Sequence, residues 1–149
     1  MTLTSRRALL ALLALVGLYT GGWAYAAPKN WYANFPGLGF SWLPQLGPYN
    51  MHLAKDTGAM FLALAVLALI TIGYARHAMV VQITASTWLV FNVLHCAFHM
   101  QHLHVYGTTD KVLNVVSLCL LVLVTAALFI PERRRGTRPA PTHATTSRG

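Results

Sequence analysis

Apolar residues along this chain do not alternate or recur on one helical face. They fall into four continuous blocks. Ala8–Ala27 runs for twenty residues without a charge, Thr57–Ala75 for nineteen, Ala78–Gln101 for twenty-four and Val112–Pro131 for twenty. A helix needs about 20 residues to cross a hydrocarbon layer of roughly 30 Å, so each block is long enough to span. Backbone polar groups in lipid must pair within their own segment, which leaves helices as the economical solution for unbroken apolar runs. The expected fold is therefore all-α: an integral membrane four-helix bundle with spans near 8–27, 51–75, 78–101 and 112–131. The second helix is expected to open near Asn50. Residues 132–149, rich in Arg, Thr, Pro and Ala, are expected to form a disordered basic cytoplasmic tail.

Composition agrees with the pattern. Hydrophobic residues make up 56% of the 149 and charged residues 9%, with a mean hydropathy of +0.52. A water-soluble domain carries about 25% charged residues, so a soluble enzyme is excluded. The net charge of +8 reads as topology once the basic residues are placed. One side of the expected bundle holds Arg6, Arg7, Arg76, Arg133, Arg134, Arg135, Arg138 and Arg148; the other holds Lys29, Lys55 and Lys111. The Arg-rich side is expected to be cytoplasmic, with both termini there. The partner this implies is the lipid bilayer, whose anionic headgroups attract such flanks; nucleic acid is not implied. A second copy or another membrane protein remains open as a partner.

The first span has a rival reading. Arg6 and Arg7, an apolar run and Ala24-Tyr25-Ala26 resemble a secretory signal with an A-x-A cleavage site. Its length, with Trp23 and Tyr25 suited to an interface, favours a retained helix in the cell membrane. Gly17 and Gly21 form a G-x-x-x-G pair that permits close helix packing. Residues 28–50 hold Pro28, Pro36, Pro44 and Pro48 among six aromatics. Proline excludes a long helix there, and the segment is expected to lie as an outer interfacial loop. Cys96 and Cys119 fall within spans and are expected to be small apolar side chains rather than a disulfide. No phosphate-binding loop, dinucleotide fingerprint or nucleophile elbow occurs, so nothing in the motifs indicates an enzyme.

One polar constellation stands out. His95, His99 and His102 recur at i, i+4 and i+7, and so share a helix face, with Asn92 one turn earlier. His52 and Asp56 are i, i+4 neighbours on the second span. Asp56 lies about six residues, roughly 9 Å, into its helix, and His95 lies at a matching depth. A carboxylate that far in is costly against lipid, so Asp56 is expected to face the bundle interior. The expected site is His52, Asp56, His95 and His99, supported by Asn92, His102 and Asn114. Imidazoles with a carboxylate suit zinc or copper, with Met51, Met100 and Cys96 favouring copper. Histidines on two helices suit axial haem ligation, and a His/Asp chain suits a proton relay. The bland alternative is a solvated polar rim.

The same residues carry a resemblance. Tyr49-Asn50-Met51-His52-Leu53-Ala54-Lys55-Asp56-Thr57-Gly58-Ala59 resembles the Y-N-x-H-L-x-[RK]-D-x-G-A pattern opening the second span of a group of small actinobacterial four-helix membrane proteins. His95, His99 and His102 are similar to the H-x-x-x-H-x-x-H of their third span. The similarity covers roughly residues 31–130. It implies the fold and the choice of residues and brings no activity. The layout more distantly resembles DoxX-like membrane proteins, without their signature; that likeness implies a quinone-linked redox subunit. The leading expectation is an accessory membrane protein with an outward-facing His/Asp site for a metal or haem. A non-catalytic assembly or packing subunit and the quinone-linked subunit are the alternatives.

Overall fold

The structure is a computed structural model, and it describes residues 1–131; the basic segment 132–149 lies outside the described residues. Four helices are long and apolar enough to cross a membrane: α1 (Leu3–Ala26), α3 (Met51–Gly73), α4 (Ala78–Gln101) and α5 (Thr108–Ala127). A short helix α2 (Pro28–Asn34) follows α1. Then comes a two-residue antiparallel ladder, β1 (Pro36–Gly37) with β2 (Phe40–Ser41), pairing Pro36 with Ser41 and Gly37 with Phe40. Gly37, Leu38 and Gly39 all have positive φ in the turn between them. A 3₁₀ turn at Leu43–Leu46 completes the α1–α3 connection.

Helix starts follow local chemistry. The Thr2 hydroxyl accepts from the Ser5 backbone N–H at 3.0 Å and begins α1 five residues before the uncharged run. The Asn50 side-chain oxygen accepts from Leu53 N–H at 3.1 Å and begins α3. Both are capping bonds that satisfy an otherwise orphaned donor. The fourth span departs most from expectation, starting at Thr108 instead of 112 and ending at Ala127. Asp110 and Lys111 belong to its first turn. An acid there complements the positive helix end, so a charge near the boundary starts this helix rather than preceding it.

The four long helices pack as two pairs, α1 on α3 and α4 on α5. On α1 the stripe Leu10, Leu13, Ala14, Gly17, Gly21, Ala24 is buried. It meets Ala54, Gly58, Phe61, Ala65 and Ala68 of α3. Small residues let the two backbones approach closely, as helices in lipid require: a β-carbon built at Gly17 falls 2.9 Å from the Phe61 carbonyl, and one at Gly58 falls 2.7 Å from Tyr25 N. Between α4 and α5, the Asn92 amide donates to the Thr125 hydroxyl at 2.8 Å.

The pairs join at one end through a dry core of Leu10, Leu13, Leu64, Val81, Trp88 and Leu128. The buried Trp88 indole donates to the Leu64 carbonyl at 3.2 Å. The Thr71 and Thr84 hydroxyls meet at 2.6 Å beside the turn between α3 and α4. The same end gathers the chain start, where Met1 N donates to the Pro131 carbonyl at 2.6 Å. The buried Arg6 guanidinium donates to the buried Ala75 carbonyl at 2.8 Å, a cation on a carbonyl just past a helix C-terminus. Arg6, expected as part of a basic flank attracted to lipid headgroups, is also a structural tie between α1 and the α3–α4 turn.

At the opposite end the pairs separate, and residues 28–48 fold over the gap as a lid. Tyr19 OH donates to the Pro36 carbonyl at 3.0 Å, and Trp23 Nε1 to Asn30 Oδ1 at 2.9 Å, pinning the lid to α1. Trp42 Nε1 donates to Asp110 Oδ1 at 3.0 Å, pinning it to α5. Phe35 sits among Trp23, Trp31 and Trp42, with ring centroids 5.7–6.4 Å away.

Candidate functional site

The gap beneath the lid is a cleft of about 910 Å³. Leu12 and Val16 of α1, Phe61 of α3, Phe91 and Phe98 of α4, and Leu121 of α5 form apolar walls. Trp31, Phe35, Trp42 and Leu46 form the roof. The size lies at the upper end of the range for small-molecule sites, which are apolar with a few placed polar groups. The cleft exists because α5 buries little of itself. Only Asn114, Val124 and Thr125 of α5 are fully buried, so much of its inward side borders the gap.

The polar groups cluster on the α4–α5 wall. Asn92, His95, His99, Asn114 and Ser117 all line the cleft. His95 stacks on Phe91 at 5.2 Å and 15°, and Phe91 meets Phe61 edge-on at 5.0 Å. His99 stands edge-on to His95 at 4.6 Å. The ring series continues through Phe98 to His102, 4.2 Å apart, and reaches His104 at the end of the molecule. His102 Nδ1 lies 2.7 Å from the Phe98 carbonyl, which makes it the donor nitrogen of the neutral ring.

Trp31 Nε1, His99 Nδ1 and Asn114 Nδ2 are buried atoms without a hydrogen bond of good geometry, although the His99 and Asn114 side chains lie within hydrogen-bonding reach of one another. Their residues are 8%, 6% and 1% exposed. Among the described residues, no Asp, Glu, Lys or Arg lines the cleft.

Of the expected site residues, the structure brings together His95, His99, Asn92 and Asn114. His102 stands at the α4 terminus beside Phe98. His52 and Asp56 are elsewhere. They pair with one another at 3.2 Å, with side chains 87% and 62% exposed. The expectation that Asp56 faces the interior is therefore corrected. The reason is helix phase: Ala54 and Gly58 face α1, and two residues along a helix is about 200° of rotation. His52 and Asp56 share the side of α3 turned away from that packing. Matched depth along two helices does not give a shared face. Among the described residues, no group of three or more His, Cys, Asp or Glu side chains is placed to hold a metal ion. His95 and His99 rise from one helix on one side, so they cannot supply opposite axial ligands to a haem.

Trp31 was legible only as an interfacial aromatic. Its burial depends on α2 folding back against Ala24 and Ala54, for which the chain carries no local signal. Tyr106, in the α4–α5 connection, is buried with its hydroxyl unpartnered. Burial, reinforced by the nearby Asp110 carboxylate, pushes its phenol up to about 12.

No protein-family model, no curated protein and no solved structure matches this chain.

Proposed function

We propose that the protein is a membrane-embedded, non-catalytic binding protein for a lipophilic small molecule with a polar head, held in the cleft between its helix pairs. The observation that carries this reading is an apolar cavity of about 910 Å³ with its few polar side chains, Asn92, His95, His99, Asn114 and Ser117, gathered on one wall. Water alone is a poor occupant of walls this apolar, since ordered water needs two to four polar partners. The cleft is open towards the surroundings of the helices: Leu15 of α1 and Leu120 of α5 both line it and are exposed. A lipid-soluble molecule can therefore reach it sideways from the bilayer. The metal or haem reading retains only the His95–His99 pair, which is why the small-molecule reading stands ahead of it.

The orientation we infer places the end bearing Arg6 and Arg76 in the cytoplasm, by the bias of basic residues, and the lid on the outer face. In this reading α1 is retained as a span, because removing it would expose the Ala54–Ala68 stripe of α3.

The test is purification in mild detergent followed by mass spectrometry of extracted small molecules, metal analysis and a visible spectrum. The expected result is a co-purifying lipophilic compound, lost in the cleft-filling variants Val16→Trp and Leu121→Trp. Stoichiometric metal or a Soret band would return the metal or haem reading to the lead. No bound compound, together with no rise in melting midpoint on adding membrane lipid extract, would refute the cleft as a binding site.

A further inference from the structure

We propose that the β1–β2 hairpin of the lid is a lipid anchor: its tip, Leu38, inserts into the membrane leaflet on the lid's side, so that the mouth of the cleft opens among acyl chains beneath the headgroups. The use of that mouth rests on the cleft reading above; the anchor itself stands on the hairpin.

The first argument is the side chain at the tip. Leu38 is 99% exposed. Its φ is 58°, between Gly37 at 96° and Gly39 at 86°. Glycine enters that left-handed region freely, whereas a β-carbon makes it costly. Folding therefore incurs strain to present a leucine that packs on nothing in return. Strain of this kind, held where the chain itself gains no burial, points to a partner outside it.

The second argument is depth. Tyr19 OH donates to the Pro36 carbonyl at 3.0 Å. A β-carbon built at Gly37 meets the Tyr19 hydroxyl at 3.0 Å and the Trp23 ring at 3.9 Å. The hairpin thus lies along the side of α1, not above its end. Tyr19 stands seven residues before the end of α1 at Ala26, about 10 Å along the axis. The 24 residues of α1 span about 36 Å against a hydrocarbon layer of roughly 30 Å. With α1 centred, the hairpin lies roughly 7 Å inside the edge of that layer, a depth that interfacial elements reach. Its backbone suits that depth because the two strands pair and Trp42 N–H donates to the Phe35 carbonyl at 2.9 Å, leaving few polar groups bare to lipid.

The third argument is charge. Asn30 to Asn50 holds no Asp, Glu, Lys, Arg or His. A water-borne connection of that length would carry about five charged residues at the usual frequency of about 25%. A neutral, aromatic-rich segment suits the membrane interface instead. Pro36 is tied to α1 through Tyr19, and Trp42 to α5 through Asp110. The hairpin end of the lid therefore bridges the two walls of the mouth. Leu15 and Leu120, the exposed residues of that mouth, lie further along their helices and so deeper in the leaflet.

The experiment uses the full chain in phosphatidylcholine vesicles, with Cys96 and Cys119 replaced by alanine and a single nitroxide-labelled cysteine introduced. Circular dichroism checks that each variant keeps its helix content. Collisions of the label are measured with oxygen, which concentrates among acyl chains, and with a water-soluble nickel chelate. Lys29→Cys, at the exposed start of α2, sets the aqueous value; Leu123→Cys, 66% exposed on α5, sets the acyl value. Leu38→Cys is expected to show an oxygen-to-nickel ratio several-fold above Lys29→Cys. A ratio equal to that of Lys29→Cys would place the tip in water and overturn the anchor. Weak collision with both reagents would mean cover by protein, and would overturn lipid as the partner. A label-free measurement guards against the nitroxide driving insertion. Aspartate tolerates the left-handed region better than leucine, so Leu38→Asp should be neutral or stabilising for a tip in water. The anchor predicts a lower melting midpoint in vesicles for Leu38→Asp than for Leu38→Gly, and the reverse order would refute it. No cleft ligand enters either measurement. Failure here leaves the cleft reading standing, and failure to find a co-purifying compound leaves the anchor standing.

Discussion

Replacing Gly21 by alanine perturbs one of the close backbone contacts between α1 and α3. A β-carbon at Gly21 falls 2.8 Å from both the Gly58 carbonyl oxygen and Leu62 N, against the 3.4 Å at which ordinary contact begins. Two of the three nearest atoms are backbone, so no side chain can rotate away. The helices must part by about 0.6 Å, and well-packed interfaces lose roughly 1–3 kcal/mol to such overpacking. Alanine returns about 0.5–1 kcal/mol through its better helix propensity, which leaves a net loss of roughly 1–2 kcal/mol. Gly22 is the internal control, since a β-carbon there meets nothing within 4 Å. Gly22→Ala should be neutral or slightly stabilising. The assay is reversible unfolding in mixed micelles titrated with a denaturing detergent, followed by helical circular dichroism. The double variant Gly21→Ala/Gly58→Ala should be less destabilising than its parts added, because both residues occupy one contact. If Gly21→Ala and Gly22→Ala agree within about 0.5 kcal/mol, close α1–α3 packing does not support this fold in the way argued, since overpacking must cost more than that.

Two further outcomes are expected. The Tyr106 phenol is held neutral to about 12 in the folded chain, whereas an unfolded one ionises near 10; its contribution is intact below pH 10 and is lost as pH rises from there through 12. Tyr106→Phe should flatten this alkaline fall in melting midpoint, and an unchanged slope between pH 9 and 12 would count against the burial argument. Lys55→Ala should lower stability more than Asp56→Ala in a detergent melting assay. Lys55 Nζ donates to the Tyr25 carbonyl at 2.8 Å and lies 4.6 Å from the Tyr25 ring centroid, whereas Asp56 pairs with exposed His52 on its own helix. A larger loss from Asp56→Ala would reverse the assignment of faces on α3.

Four helices and their approximate reach were legible because they depend on local composition. An unbroken apolar run must become a helix in lipid whichever neighbours it has. The Ala78–Gln101 run matches α4 to the residue, and Asn50 marks the α3 cap, because a capping bond reaches only three residues. That Asn92, His95, His99 and Asn114 lie at one level of the bundle was also legible, from their positions along the apolar segments. What the chain could not state is which helices pair. The approach of α1 to α3 through Gly17, Gly21 and Gly58 sets the rotation of α3, and that rotation carries His52 and Asp56 to the outside. The separation of α1–α3 from α4–α5 at the lid end is a property of four surfaces at once. It turns polar residues on two helices, with one indole from the lid, into the lining of a shared cavity. Helical periodicity gives each residue an angle on its own helix, but only packing gives the helices angles to one another.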